Sequence, residues 1–263
     1  MLVDGRAMAE AVLAEVAAAV AVLPVPPTLT ALTASPDLPT QRYLALKQHR
    51  AAAAGIPMRV LELPANSSTE AAIAAVRQVL PHTTGLVVQL PLPAPIDTEA
   101  VLAAVPPAQD PDGFAYGKDP AACLPPVVAA IAHIARQHAI SWADRAVVVI
   151  GEGRLVGGPA AIFARRAGAR VTVLNVDTFD PQVIKAADIV ISGAGQPRLI
   201  TPDMISPGAA VFDAGTSEAE GELVGDVDPA VAAVAGLLTP VPGGIGPLTI
   251  ACLLRNLHTL QRQ

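Results

Sequence analysis

The run Gly85-Leu86-Val87-Val88 is apolar at four consecutive positions. A strand with one face in water alternates polar and apolar residues, so an unbroken run belongs to a parallel strand covered on both sides. It closes a series with a regular order. Residues 5 to 23 read as a helix that Pro24, Pro26 and Pro27 stop, and Thr28 to Thr33 reads as a strand. A second helix opens with Thr40 as N-cap and ends before Gly55 and Pro57, and Met58 to Leu63 forms the next strand. Ser67 and Ser68 introduce a helix to about Leu80. This β-α-β-α-β order predicts an α/β domain. The second half reads as a helix from near Cys123 to about Ala139, a strand at Ala146 to Ile150, a glycine-rich turn at 151–158 and a helix ending at Gly168. Strands follow at Val171 to Leu174, Ile189 to Ser192, Ala209 to Phe212 and Gly236 to Leu238, the pattern of a Rossmann-like open sheet, and a last helix runs from Leu248 to about Leu260.

Composition excludes several classes of function. A chain of 263 residues, 52% hydrophobic and 15% charged, can bury one large or two modest cores. Its net charge of −6, with one Trp, two Tyr and four Phe, offers neither a basic stripe nor stacking platforms for nucleic acid. Cys123 and Cys252 match no metal or redox spacing, and His133 and His138 at i,i+5 do not share a helical face, so no metal site is expected. The cysteines suit a reducing cytoplasm. Asp4, Glu10 and Glu15 argue against a signal peptide at the apolar stretch Ala17 to Val25, and no run of about 20 apolar residues suggests a membrane span.

Five constellations could carry chemistry. Tyr43 and Lys47, four apart on the second helix, project from one face and can reach one point. Gln89 ends an apolar strand, where parallel sheets present ligand-contacting groups, although a glutamine there can also cap a turn. Asp110 and Asp112 bracket Pro111 before Gly113, and either could form an Asx-turn. Gly151-Glu152-Gly153-Arg154-Leu155-Val156-Gly157-Gly158 lies between a strand and a helix, the setting in which a glycine turn accepts a pyrophosphate. Thr239 to Thr249 packs three prolines and three glycines into a rigid loop shaped around something.

Together with Val88-Gln89-Leu90-Pro91-Leu92-Pro93 and Gln109-Asp110-Pro111-Asp112-Gly113-Phe114, these segments resemble the methylenetetrahydrofolate dehydrogenase/cyclohydrolase family, from Asp4-Gly5 to the last helix. The resemblance implies a folate-binding catalytic domain at residues 1–121, on which the last helix within 241–263 packs back, and a Rossmann-like dinucleotide domain at 122–240. It implies oxidation of 5,10-methylenetetrahydrofolate by hydride transfer to a nicotinamide, then hydrolysis of the methenyl product to 10-formyltetrahydrofolate, in a cytoplasmic homodimer. Lys47 would manage proton transfer, with Tyr43 and Gln89 positioning the water and Asp112 holding the pterin. Thr40, Val88, Leu90, Pro242, Gly243 and Gly246 would complete the folate site. The dinucleotide would lie on Gly151, Glu152, Gly153, Arg154, Val176, Asp177, Gly215 and Thr216.

The chain also departs from the family pattern. Glu152-Gly153 stands where the family has arginine and serine, and Val176-Asp177 stands where it holds the 2′-phosphate of NADP with serine and a basic residue. Leu124 and Thr216-Ser217 replace a threonine and an Ile-Asn pair, and Gln109 and Pro111 replace a lysine and a valine. The cofactor expected is NAD or NADP, with NAD favoured by Glu152, Val176 and Asp177. The alternatives are a cyclohydrolase, or a relative acting on another imine, whose nicotinamide site has degraded, and a folate-binding protein without catalysis. Joint retention of Tyr43, Lys47, Gln89 and Asp112 speaks against the last.

Overall fold

All six residues of β1 (Leu29–Ala34) are buried in the computed structural model, which describes residues 1–219 and 221–262. Their burial follows from position: β1 is the middle strand of a parallel sheet, flanked by β2 (Met58–Leu63) and β3 (Gly85–Val88). The connecting helices are α1 (Gly5–Ala21), α2 (Leu38–Ala53), α3 (Thr69–Val79) and α4 (Thr98–Ala103). Leu32, Ala34, Leu86 and Val88 project from one face into a core with Ala72, Val76 and Val79 of α3 and Val101 and Leu102 of α4. Most of this belongs to one of two compact units, formed by Glu10–Pro126 and the segment from Ile250.

The other unit comprises Met1–Ala9 and Val127–Thr249. After α5 (Pro126–Gln137) come β4 (Ala146–Ile150), α6 (Gly157–Arg166), β5 (Arg170–Leu174), α7 (Pro181–Lys185), β6 (Ile189–Ser192) and β7 (Ala210–Asp213). A hairpin of β8 (Ser217–Ala219) and β9 (Glu222–Val224), then β10 (Leu237–Leu238), leads to α8 (Ile245–Leu260). The parallel sheet has the order β10-β7-β6-β4-β5, with a crossover from β5 back to β6 on the other side of β4. In such a sheet the reversal of strand order opens a crevice at the carboxyl ends of the strands. Val148, Ile150, Val190 and Val211 fill the core beneath it with Ile184 and Val231. No described helix is long and apolar enough to cross a membrane.

Several expected boundaries move by one to three residues, and two of the shifts have a clear local cause. Asp37, rather than Thr40, caps α2: its carboxylate accepts the Thr40 N–H at 2.9 Å, and Pro39 takes a place in the first turn where a missing N–H is harmless. The last helix begins at Ile245 rather than Leu248, because Pro247 is likewise tolerated in a first turn. The short hairpin β8–β9, too brief to show a period, was not expected.

Two buried aspartates organise the carboxyl edge of the larger sheet. Asp226, fully buried, accepts hydrogen bonds from the Ser192 hydroxyl at 2.7 Å, the Ala194 N–H at 2.7 Å and the Gln196 N–H at 2.8 Å. Asp213 accepts from the N–H groups of Gly215, Asp226 and Val227. A Cβ on Gly215 would overlap the Asp226 carboxylate, which explains the glycine there. Asp226→Ala strands three donors at once and is expected to cost about 3 kcal/mol or more, on the scale of hydrogen bonds to charged groups. Urea unfolding checks this, since an unchanged midpoint would show the network to be dispensable.

Candidate active site

Lys47 lies on the third turn of α2 and is only 6% exposed. Its side-chain amine donates to Gln89 Oε1 at 2.9 Å and sits 4.8 Å from the centre of the Tyr43 ring. A lysine stripped of water in this way favours its neutral form: burial holds its pKa below the ordinary amine range, while the Asp112 charge opposes that fall. Burial, and secondarily Asp112, raises the Tyr43 hydroxyl well above its usual value, so it is a neutral donor at physiological pH. Gln89 is the last residue whose N–H continues the ladder onto β1, at 2.8 Å to the Leu32 carbonyl, and its own side-chain amide donates to the Leu90 carbonyl at 3.1 Å. The amide is thereby oriented with its oxygen toward Lys47.

The two aspartates of the following loop divide their roles. Asp110 is the Asx-turn residue: it is buried and accepts the N–H groups of Asp112 at 3.0 Å, Gly113 at 3.1 Å and Phe114 at 2.7 Å. Burial, with the Asp112 charge second, pushes its carboxyl up to about 7 against those hydrogen bonds. Asp112 keeps its carboxylate for other partners. Burial raises its pKa and Lys47 lowers it, so the two groups feel each other's charge. Asn256 of α8 fixes this loop by donating to the Pro111 carbonyl at 3.0 Å and the Leu124 carbonyl at 2.9 Å. Gly113 has φ +69° and no room for a Cβ against the Cys123 carbonyl.

The structure therefore brings Tyr43, Lys47, Gln89 and Asp112 together in one unit. Thr40 is half-buried, one turn before Tyr43 on α2. The Val88 side chain turns away into the core with α3 and α4, which leaves only its backbone for a ligand; Leu90 is half-buried against the same core. Pro242, Gly243 and Gly246 belong to the other unit, where Gly243 has φ +107° and Gly246 is exposed with open space around it.

A pocket of about 340 Å³ opens at the carboxyl ends of β4, β5 and β6, lined by Ile150, Gly151, Glu152, Asn175, Val176, Phe179, Ala194, Gln196 and Leu199. Its floor is a glycine turn. Gly151 has φ +96° with the Gly193 carbonyl 2.7 Å from where a Cβ would stand, and a Cβ on Gly157 would overlap the Gly151 carbonyl. This close packing brings the amino end of α6 against the strand end, and no side chain caps that helix. The cradle fits a dinucleotide: an apolar crevice for a flat ring beside a helix N-terminus for phosphate. Glu152 stands on its wall, and Asn175 Nδ2 donates to Glu152 Oε2 at 3.0 Å. Val176 also lines it and is 81% exposed. Gly153, Arg154, Asp177, Gly215 and Thr216 are not part of the lining. Ile150, Asn175, Phe179, Ala194, Gln196 and Leu199 were missed from sequence; the signal was available for Gln196, which lies just past the end of β6, where such a sheet gathers its ligand contacts.

The chain's relatives share this architecture. The family described as "Tetrahydrofolate dehydrogenase/cyclohydrolase, catalytic domain" matches residues 3–112, and its NAD(P)-binding domain matches residues 125–263. A "Bifunctional protein FolD" of Acidiphilium cryptum is 39% identical over 266 residues, covering 97% of this chain and 95% of its own. The crystal structure of the bifunctional enzyme FolD, methylenetetrahydrofolate dehydrogenase/cyclohydrolase, from Campylobacter jejuni superposes with a TM-score of 0.94 at 30% identity, covering 100% of this chain and 98% of that one. The Trypanosoma brucei methylenetetrahydrofolate dehydrogenase-cyclohydrolase (FolD), solved with NADP cofactor and inhibitor, superposes with a TM-score of 0.93 at 34% identity, covering 100% and 97%. With both halves matched and relatives of this identity aligned along nearly the whole length, the chain belongs to the tetrahydrofolate dehydrogenase/cyclohydrolase family.

Proposed function

We propose that this chain oxidises 5,10-methylenetetrahydrofolate to the methenyl compound with a nicotinamide dinucleotide and hydrolyses that product to 10-formyltetrahydrofolate, with Lys47 as the proton acceptor of the hydrolysis. The observation that carries the assignment is the buried Lys47 amine held at 2.9 Å from Gln89 Oε1. The bound dinucleotide supplies the hydride acceptor. Hydrolysis needs no further activation of the substrate, because the methenyl carbon is a cationic electrophile; it asks for an oriented water and a base. The water oxygen bonds to the methenyl carbon as its proton passes to Lys47. The carbon–N5 bond then breaks as the remaining proton of the added water moves to N5, which leaves a formyl group on N10. Burial suits Lys47 to this work, because an amine with an ordinary pKa is protonated at neutral pH and cannot accept. Asp112 accepts hydrogen bonds from the amino-pyrimidine edge of the pterin.

Lys47→Met is expected to abolish hydrolysis of methenyltetrahydrofolate in a folded protein, and parental turnover would refute the assignment. In the parent enzyme, hydrolysis should rise with pH as the amine loses its proton. It should level off below the ordinary lysine range, because burial shifts the amine that way. Asp112→Ala is expected to weaken folate binding by about 1.5–3 kcal/mol, the scale of a hydrogen bond to a charged group, measured by calorimetric titration.

The dinucleotide preferred is NAD. Glu152 on the pocket wall supports this, with Asn175 holding its carboxylate. Two unit charges about 6 Å apart repel by about 3 kcal/mol at an effective dielectric near 20, and screening at an exposed position halves this or more. The remainder disfavours a 2′-phosphate about tenfold. A carboxylate in such a place also accepts hydrogen bonds from the ribose hydroxyls of NAD. Steady-state rates with NAD and NADP side by side decide the matter: a preference for NADP overturns the claim, and no turnover with either dinucleotide favours the hydrolytic activity alone.

A further inference from the structure

Thr33 is fully buried, and its hydroxyl has no hydrogen-bond partner among the described residues. Native proteins rarely leave a buried hydroxyl unpaired, since it has left water without compensation. Thr30, three residues earlier on the same strand, shows the usual arrangement: its hydroxyl accepts from Arg59 Nε at 2.9 Å and donates its own hydrogen to Thr83 Oγ1 at 3.1 Å. The unpaired hydroxyl stands beside the lysine site. Leu32 pairs with Val88 in the β1–β3 register, and the Gln89 N–H donates to the Leu32 carbonyl, so Thr33 and Gln89 are level on neighbouring strands. Leu32 and Val88 point into the core with α3 and α4. By the alternation of strand side chains, Thr33 and Gln89 point to the opposite face, where Lys47 reaches Gln89.

We propose that Thr33 is a positioning residue for Lys47: its hydroxyl oxygen is the second acceptor, after Gln89 Oε1, for the ammonium that forms when Lys47 takes the proton of the attacking water. The inference rests on the reading of Lys47 as that proton acceptor. An ammonium carries three donors, and Gln89 engages one of them. The water supplies the proton; Thr33 is neither oxidised nor deprotonated and contributes a lone pair. The titratable groups that act on Lys47 are Tyr43 from its own helix and Asp112 from the loop before α5, whereas Gln89 and Thr33 are uncharged.

Thr33→Val removes the oxygen at nearly constant volume, and Thr33→Ser keeps it. The valine variant is expected to lower kcat for methenyltetrahydrofolate hydrolysis about tenfold on the high-pH plateau, where the resting amine is neutral, the scale of one hydrogen bond to a charged group, with KM within twofold of the parent. Losing an acceptor destabilises the ammonium, so the rising limb of the hydrolytic pH profile moves to lower pH; serine restores both rate and profile. The melting temperature of the valine variant should equal or exceed that of the parent, because the lost hydroxyl had no partner in the free protein. A thermal scan separates this outcome from simple damage to the fold, and Thr33→Ala repeats the test if valine fails to fold. Parental kcat and an unmoved profile in the oxygen-free variant overturn the proposal, as does a serine variant that rescues neither. Lys47→Met, assayed in parallel, separates the two levels: if it abolishes hydrolysis while the valine variant is parental, only the role of Thr33 falls. If Lys47→Met is itself parental, both fall.

Discussion

An amine held away from water with one amide oxygen as its partner is the constraint around which the folate unit is arranged. Burying a charged lysine is costly unless it is paired, and pairing it demands that two elements from distant parts of the sequence stop at matching heights. Asp37 sets where α2 begins and hence where Lys47 falls along it. Gln89 is set by the opposite device, a termination: it donates the last ladder hydrogen bond to β1, and Pro91 and Pro93 beyond it lack the N–H groups that would carry the strand further. The side chain is therefore left at the carboxyl edge of the sheet.

The Asp110-Pro111-Asp112 segment shows how one carboxylate frees another. Asp110 devotes both oxygens to three backbone N–H groups, which shapes the turn and leaves the Asp112 side chain outside that network. Asn256 closes the arrangement from α8 by donating to two carbonyls, so the far end of the chain holds the loop in place. Changes at Gln109 and Pro111 leave this scheme intact. Gln109 uses its side-chain amide on the Leu80 and Thr83 carbonyls, and Pro111 contributes a carbonyl rather than a side-chain contact to Asn256.

The strands were legible because their signal is local. Met58–Leu63, Gly85–Val88, Ala146–Ile150 and Ile189–Ser192 fall where apolar runs meet their flanking residues, and Ser68 caps α3 as its position suggests. The cap of α2 was misplaced because Asp37 and Thr40 are both good capping residues, and the deciding residue was Pro39, which belongs inside a first turn. Tyr43 and Lys47 could be paired from spacing alone, and Gln89 from its place at a strand end. Thr33 could not be recognised in the same way. A threonine inside a strand reads as a β-former, and only the β1–β3 register reveals that it stands level with Gln89. Asn175 was hidden for a related reason, because its link to Glu152 joins the ends of two strands 23 residues apart.

The two halves recognise their ligands with different parts of the chain, and this governs how each tolerates change. The folate unit gathers side chains at its site, an amine, an amide, a phenol and a carboxylate that meet through hydrogen bonding, ring contact and charge. The dinucleotide cradle depends on backbone. Gly151 and Gly157 are required because any Cβ would collide with a neighbouring carbonyl, and the edge beside them is held by N–H groups gathered onto Asp226. Gly153, by contrast, has open space where a side chain could stand, and the Glu152 and Val176 side chains line the pocket without building it. Arginine and serine can therefore give way to Glu152 and Gly153 while the cradle keeps its shape. Substitution at such positions alters the charge on the pocket wall without dismantling the site, so a change there leaves the backbone cradle standing.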